Sequence, residues 1–251
     1  MTLTAFSRPS RQVQPDYGEA HVWCASLDDA AYPKEAYEEL LTDKECDRAA
    51  RFFRKRDGDR YILGLGILKT LIMDYMGVGP DRLQFSYGPY GKPILDAGLG
   101  ADRLCFNMAE SAGYALFAFA KGTEIGIDIE QIREIPEMDQ IVGLFFSEAE
   151  QAAFASLFPQ EKKRAFFDGW TRKEAFIKAF GVGLFMPLSN FAISLTPGNP
   201  VSLRYLDKDL DSLGQWTIRD VATRPGFSAA LAVKGSQCTI LSRDFVAGML
   251  G

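Results

Sequence analysis

The chain has 251 residues, of which 47% are hydrophobic and 24% charged, and it carries a net charge of -5. That length can bury one large core or two compact ones, and that composition excludes a largely disordered chain. The acidic balance excludes a general nucleic-acid binder, because affinity for a phosphate backbone rests on an excess of Lys and Arg.

Residues 1–18 contain no apolar h-region and read as a loose tail rather than a signal peptide. "HVWCASL" (21–27) reads as the first strand. "TDKECDRAARFF" opens a helix, with Thr42 and Glu45 in capping-box spacing. A second helix runs through "RYILGLGILKTLIMDYM" and stops at Gly77. "RLQFSY", "LCFNM" and "YALFAFA" read as short strands, with the turn "GPYGKP" after the first. "KG" turns the chain into "TEIGIDIE", so that Tyr114 to Glu130 reads as a hairpin. In "FFSEAEQAAFASLF", Ser147 and Glu150 form another capping-box pair. A long helix then ends at Gly181, and "FAISL", "VSLRYL", "QWTIRDVA", "SAALAV" and "CTILS" read as strands. Helices followed by strands thus occur twice, which predicts an α+β chain of two related halves, 19–122 and 123–251. No run of about 20 predominantly apolar residues predicts a transmembrane helix.

Cys24, Cys46, Cys105 and Cys238 form no CxxC pair and read as reduced, buried thiols, which fits a cytoplasmic protein. His21 is the only histidine, so a zinc site with several imidazoles is excluded. No GxGxxG or Walker A loop occurs. The chemistry left to the chain is that of carboxylates, lysines and a hard metal.

Three stretches could carry such chemistry. In "TEIGIDIEQ", alternation places Asp128 and Glu130 on one face of a strand, roughly 7 Å apart, with Ile125, Ile127 and Ile129 on the other. The pair reads either as a wet acidic face or as part of a Mg²⁺ site, with Gly126 leaving room for a ligand. Along the helix that ends in "WTRKEAFIKAFG", Phe166, Trp170, Ile177 and Phe180 form an apolar stripe, with Glu174 and Lys178 at its edge and Lys173 near its middle. Lys173 reads either as a lysine snorkelling outward or as a second ammonium at a cleft rim beside Lys178. In "RAARFFRKRDGDR", the 3/4 spacing puts Arg48, Arg51 and Lys55 on one helical face, a solvated basic surface or a cradle for a phosphorylated ligand.

"GIDIE", followed about 40 residues later by "WTRKEAFIKAFGVGL", resembles the 4′-phosphopantetheinyl transferases of the large surfactin-synthetase-activating type. "RAARFFRKRDGDRYILG", "YGKP" and "FN" ahead of "YALFAFA" match in the same order, so the resemblance covers about residues 40–195. It implies a pseudo-dimer of two similar α+β halves with the active site between them. It implies transfer of the phosphopantetheine arm of coenzyme A to a serine of an acyl or peptidyl carrier protein, releasing adenosine 3′,5′-bisphosphate. It further implies that Asp128, Glu130 and Glu174 hold Mg²⁺, that Glu174 also deprotonates the serine, and that Lys178 neutralises or protonates the leaving phosphate. Arg48, Lys92 and Asn107, with Lys178, match coenzyme A-binding positions, and the two-half architecture implies a monomer. Trp170 and Lys173 belong to the motif, with Trp170 structural.

One departure stands out. Where the family has a histidine that helps bind coenzyme A phosphates, "FNMAES" has Glu110. Other basic residues compensate, Glu110 joins the metal site, or coenzyme A binds poorly; the last reading describes a degenerate carrier-protein or coenzyme A binding protein with weak transfer.

Overall fold

The computed structural model describes residues 14–83, 85–87, 93–95, 104–181, 186–195, 201–205 and 215–246. In chain order the elements are β1 (Glu19–Ser26), α1 (Lys34–Glu38), α2 (Asp43–Ala50), α3 (Lys55–Met76), β2 (Phe85–Tyr87), β3 (Pro93–Leu95), β4 (Leu104–Ser111), β5 (Tyr114–Lys121) and β6 (Ile125–Gln131). Then come α4 (Met138–Phe145), α5 (Glu148–Ala155), α6 (Pro159–Phe180), β7 (Phe191–Ile193), β8 (Leu203–Tyr205), β9 (Trp216–Asp220), β10 (Phe227–Lys234) and β11 (Thr239–Asp244). The fold is mixed α+β.

Two sheets stack between two long helices. The first has the order β11-β1-β5-β4 and the second β6-β10-β9. Alternation along β5 divides its side chains between two cores. Ala115, Phe117 and Phe119 pack against α3, beside Ile67, Leu71 and Tyr75. Leu116, Ala118 and Ala120 face the second sheet, where Ile125, Ile127 and Ile129 meet them. The far side of the second sheet packs on α6, through Ala230, Ala232, Ala175 and Ala179. Burying each isoleucine between the sheets contributes about 1.5–3 kcal/mol, so this seam holds the halves together.

The halves repeat one plan. Strands β1-β5-β4 and β6-β10-β9 are each fully antiparallel. Both long helices have 22 residues and end on a left-handed glycine, Gly77 at φ 63 and Gly181 at φ 69. Both predicted capping boxes form, at Thr42–Glu45 and Ser147–Glu150. Each box glutamate also pairs with a buried lysine of the following long helix. Glu45 meets Lys69 at 2.5 Å and Glu150 meets Lys173 at 2.8 Å.

Several expectations change. Tyr114 to Glu130 is not a hairpin: β5 pairs with β1 and β4, whereas β6 pairs with β10 in the other sheet. Gly122, at φ 64, turns the chain so that the isoleucines lie over β5 rather than beside it. Arg48, Arg51 and Lys55 do not share a helical face, because α2 ends at Ala50 and α3 starts at Lys55. The last strand, β11, runs parallel to β1 and so completes the sheet of the first half. Of the predicted loose tail, residues 1–13 lie outside the described ones, and Gln14 donates to Tyr75 O at 3.0 Å. Among the described residues no helix is long and apolar enough to cross a membrane.

Candidate active site

The site is built where β6 crosses α6. Gly126 makes the approach possible. A Cβ there would lie 2.1 Å from Ala175 O and 2.3 Å from Ala179 N, both backbone atoms of α6. The glycine therefore admits the helix backbone instead of leaving room for a ligand, which corrects the sequence reading. Asp128 follows on the same face and is 4% exposed. Glu174 and Lys178, four residues apart on α6, are each half-buried.

Lys178 Nζ donates to Asp128 Oδ1 at 2.5 Å. Asp128 Oδ2 is buried and, among the described residues, has no hydrogen-bond partner. Burial pushes the Asp128 carboxyl up to about 7; Lys178 opposes the rise, and the nearby charges of Glu130 and Glu174 add to it. Burial also raises Glu174, again against Lys178 and with Glu130. Three carboxylates thus act on one another with a single ammonium among them, an excess of negative charge that favours a cation.

Mg²⁺ fits this donor set. Hard carboxylate oxygens suit it, and the orphaned Asp128 Oδ2 is an acceptor in want of a positive partner. Among the described residues, no three His, Cys, Asp or Glu side chains are gathered in a geometry that could hold a metal ion by themselves. An ion here would draw the rest of its coordination from water and substrate phosphate, as Mg²⁺ commonly does. Glu130 Oε2 accepts from Ser111 Oγ at 3.0 Å.

The other expected residues lie differently. Lys173 is neither snorkelling nor at a rim: it is fully buried, donating to Leu188 O at 2.7 Å and Phe191 O at 2.8 Å, with its ammonium 4.2 Å from the Phe191 ring centroid. Its surroundings make it a structural pin between α6, α5 and β7. Trp170 stacks on Phe166 within the apolar stripe, as expected of a structural residue. Arg48 is exposed and lies over the Tyr61 ring at 5.2 Å, without touching the carboxylates. Asn107 Oδ1 accepts from Ile127 N at 2.9 Å, so its side chain braces β6. Lys92, with Gly183 and Leu184 of the second motif, lies outside the described residues.

Glu110 reaches solvent at the end of β4. Burial of its inner side raises its carboxyl, while Arg60 opposes the rise and Asp57 adds to it. Arg60 is itself engaged by Asp28, with Nε to Oδ1 at 2.8 Å and a second contact from Nη2 to Oδ2. Ser111 was not singled out from the sequence. The available signal was its place four residues after Asn107, on the same face of a strand.

The fragment 124–232 matches the family model described as the 4'-phosphopantetheinyl transferase superfamily. The 4'-phosphopantetheinyl transferase HetI of a Nostoc species is 32% identical over 217 residues, covering 86% of this chain and 88% of that one. The 4'-phosphopantetheinyl transferase Sfp of Bacillus subtilis is 28% identical over 197 residues, covering 78% of this chain and 84% of its own. The two relatives span both halves, and with the β6–α6 geometry the matches establish that the chain belongs to the 4′-phosphopantetheinyl transferase superfamily, in its large surfactin-synthetase-activating branch.

Proposed function

We propose that the chain transfers the 4′-phosphopantetheine arm of coenzyme A to a serine hydroxyl of an acyl or peptidyl carrier protein. Adenosine 3′,5′-bisphosphate is the other product. The observation that carries this reading is the Asp128–Lys178 pair, with one carboxylate oxygen left unpartnered beside Glu130 and Glu174. Asp128, Glu130 and Glu174 would hold Mg²⁺, which when bound would offset charge on the pyrophosphate.

The chain's own groups supply the rest. A serine hydroxyl is a weak nucleophile, so a base near it helps. Glu174, raised by burial, is the base that takes its proton. The serine oxygen forms the new P–O bond as the bond to the nucleotide phosphate breaks, and the electron pair leaves on that phosphate. Lys178 neutralises or protonates the departing group. Arg48 and Lys92 contact coenzyme A phosphates, and Asn107 keeps only its amide N–H₂ for that purpose. The second half supplies what a neighbouring subunit would otherwise give, so we read the chain as a monomer. The four free thiols support a cytoplasmic setting.

Incubation with an apo carrier protein and coenzyme A tests the reading. One phosphopantetheine arm should appear on the carrier, with equimolar nucleotide release, in Mg²⁺ but not in chelator. Absence of both products with several carriers would reject it.

A second reading, a carrier or coenzyme A binding protein with weak transfer, draws on Glu110 and the acidic residues Asp28 and Asp57 around Arg60. If Glu110 repels a coenzyme A phosphate, Glu110→His tightens coenzyme A binding in calorimetry. Unchanged affinity would remove the repulsion argument.

A further inference from the structure

Among the described residues strand β6 is the edge of its sheet, so its outward N–H groups face no paired strand. Two of them are met by side chains from β4, in the other half of the molecule. Ile127 N donates to Asn107 Oδ1 at 2.9 Å, and Gln131 N donates to Ser111 Oγ at 3.1 Å. Asn107 and Ser111 are four residues apart on β4, and Ile127 and Gln131 are four apart on β6. Both pairs therefore share a face of their strand, and the contacts form a clasp with two matched pegs. Ser111 does more than brace the backbone. Its hydroxyl, having accepted from Gln131 N, donates to Glu130 Oε2 at 3.0 Å. One hydroxyl can serve both partners, since it holds one donor and two acceptor positions.

Glu130 feels the charges of Asp128 and Glu174, and repulsion alone would turn its flexible side chain toward solvent. We propose that Ser111 is a positioning residue for Glu130: strand β4 of the first half sets the reach of a carboxylate supplied by the second, while Asn107 fixes the strand beneath it. The proposal rests on the reading of Glu130 as a metal ligand. It also gives the "FNMAES" stretch a physical purpose, since the asparagine and the last serine must be four apart to meet β6.

The test uses the whole chain with coenzyme A. Mn²⁺ binding is followed by loss of the free Mn²⁺ resonance signal, and the Mg²⁺ concentration giving half-maximal transfer is measured beside the KM for coenzyme A. Ser111→Ala should weaken Mn²⁺ binding and raise the half-maximal Mg²⁺ about 10-fold, the lower end of what removing a ligand's hydrogen-bond partner costs. Tm should hold, and Ser111→Thr, which keeps the hydroxyl, should stay near the parent. Glu130→Ala should weaken Mn²⁺ binding at least as much, and Ser111→Ala added to it should change nothing further. If Glu130→Ala weakens the metal and Ser111→Ala does not, the positioning role is wrong and the metal reading stands. If Glu130→Ala leaves Mn²⁺ binding unchanged, the metal reading of Glu130 fails and the proposal falls with it. A merely structural Ser111 would lower Tm while leaving Mn²⁺ affinity where it was.

Discussion

The two oxygens of Asp128 have different surroundings: Oδ1 is held by Lys178, while Oδ2 is buried with no donor among the described residues. Holding a carboxylate there costs folding free energy that the pair with Lys178 only partly offsets. Asp128→Asn keeps the shape and removes the charge. Its Tm in metal-free buffer at pH 8 is expected to equal or exceed the parent's, while transfer falls about 100-fold or more. A folded variant with near-parental transfer would reject the role of Asp128. His21 offers an independent check on the core. Trp23 Nε1 donates to Tyr75 Oη at 2.8 Å, and Tyr75 and His21 Nδ1 lie 2.7 Å apart. Burial lowers the His21 pKa despite the opposing charge of Glu19. The unfolded chain therefore binds a proton below about pH 6.5 that the folded chain resists, and stability falls as pH drops through that region. His21→Gln should show a shallower loss of stability between pH 7 and 5 in denaturant titrations; parallel curves would contradict the network. These residues were unevenly legible in the sequence. Asp128 and Glu174 stood out by their spacing, but the burial of Lys173 was not readable, because its partners Glu150, Leu188 and Phe191 are brought to it by tertiary packing.

At the scale of elements, the crossing of β6 and α6 decides whether the four charged groups meet. Arg172 helps fix the helix, donating Nε to Asp220 Oδ1 and Nη2 to Asp220 Oδ2, both at 2.7 Å, and Nη1 to Ser194 O at 2.7 Å. The closest restraint is Gly126, where an added methyl has only rigid backbone to push against. Gly126→Ala is expected to lower Tm, as overpacking typically costs about 1–3 kcal/mol, and to reduce transfer by moving Glu174 and Lys178 from β6. An unchanged Tm and rate would show that the helix does not need that approach. Helix ends were legible because capping boxes and terminal glycines are local chemistry, and both boxes and both glycines appear where expected. The partner of β6 was not legible. An alternating Ile pattern buries one face equally well beside β5 or stacked over it, and β1 and β4 already occupy both edges of β5, so β6 stacks over it and pairs with β10.

At the scale of the molecule, the repeat shows why the proposed site lies at one of the two strand–helix crossings. By position along the matched strands, Trp23 of β1 stands where Asp128 stands in β6. Counting from the terminal glycines, Thr70 and Asp74 of α3 correspond to Glu174 and Lys178 of α6. The first half fills its strand–helix crossing with the Trp23–Tyr75–His21 network and contributes Asn107 and Ser111 across the seam instead. Helices-then-strands read twice revealed the two halves, but the return of β11 to β1 left no local trace, since parallel pairing joins segments distant in sequence. The central claim is that carboxylates from β6 and α6 perform arm transfer. It is tested most directly by a single-turnover reaction of the protein with an apo carrier, coenzyme A and Mg²⁺, read by the carrier's intact mass for the parent and for Glu174→Ala at matched coenzyme A occupancy. The account predicts one arm per carrier with the parent and a rate about 100-fold lower or less with the variant. A carrier left unmodified by the parent, or a variant as fast as the parent, would contradict it.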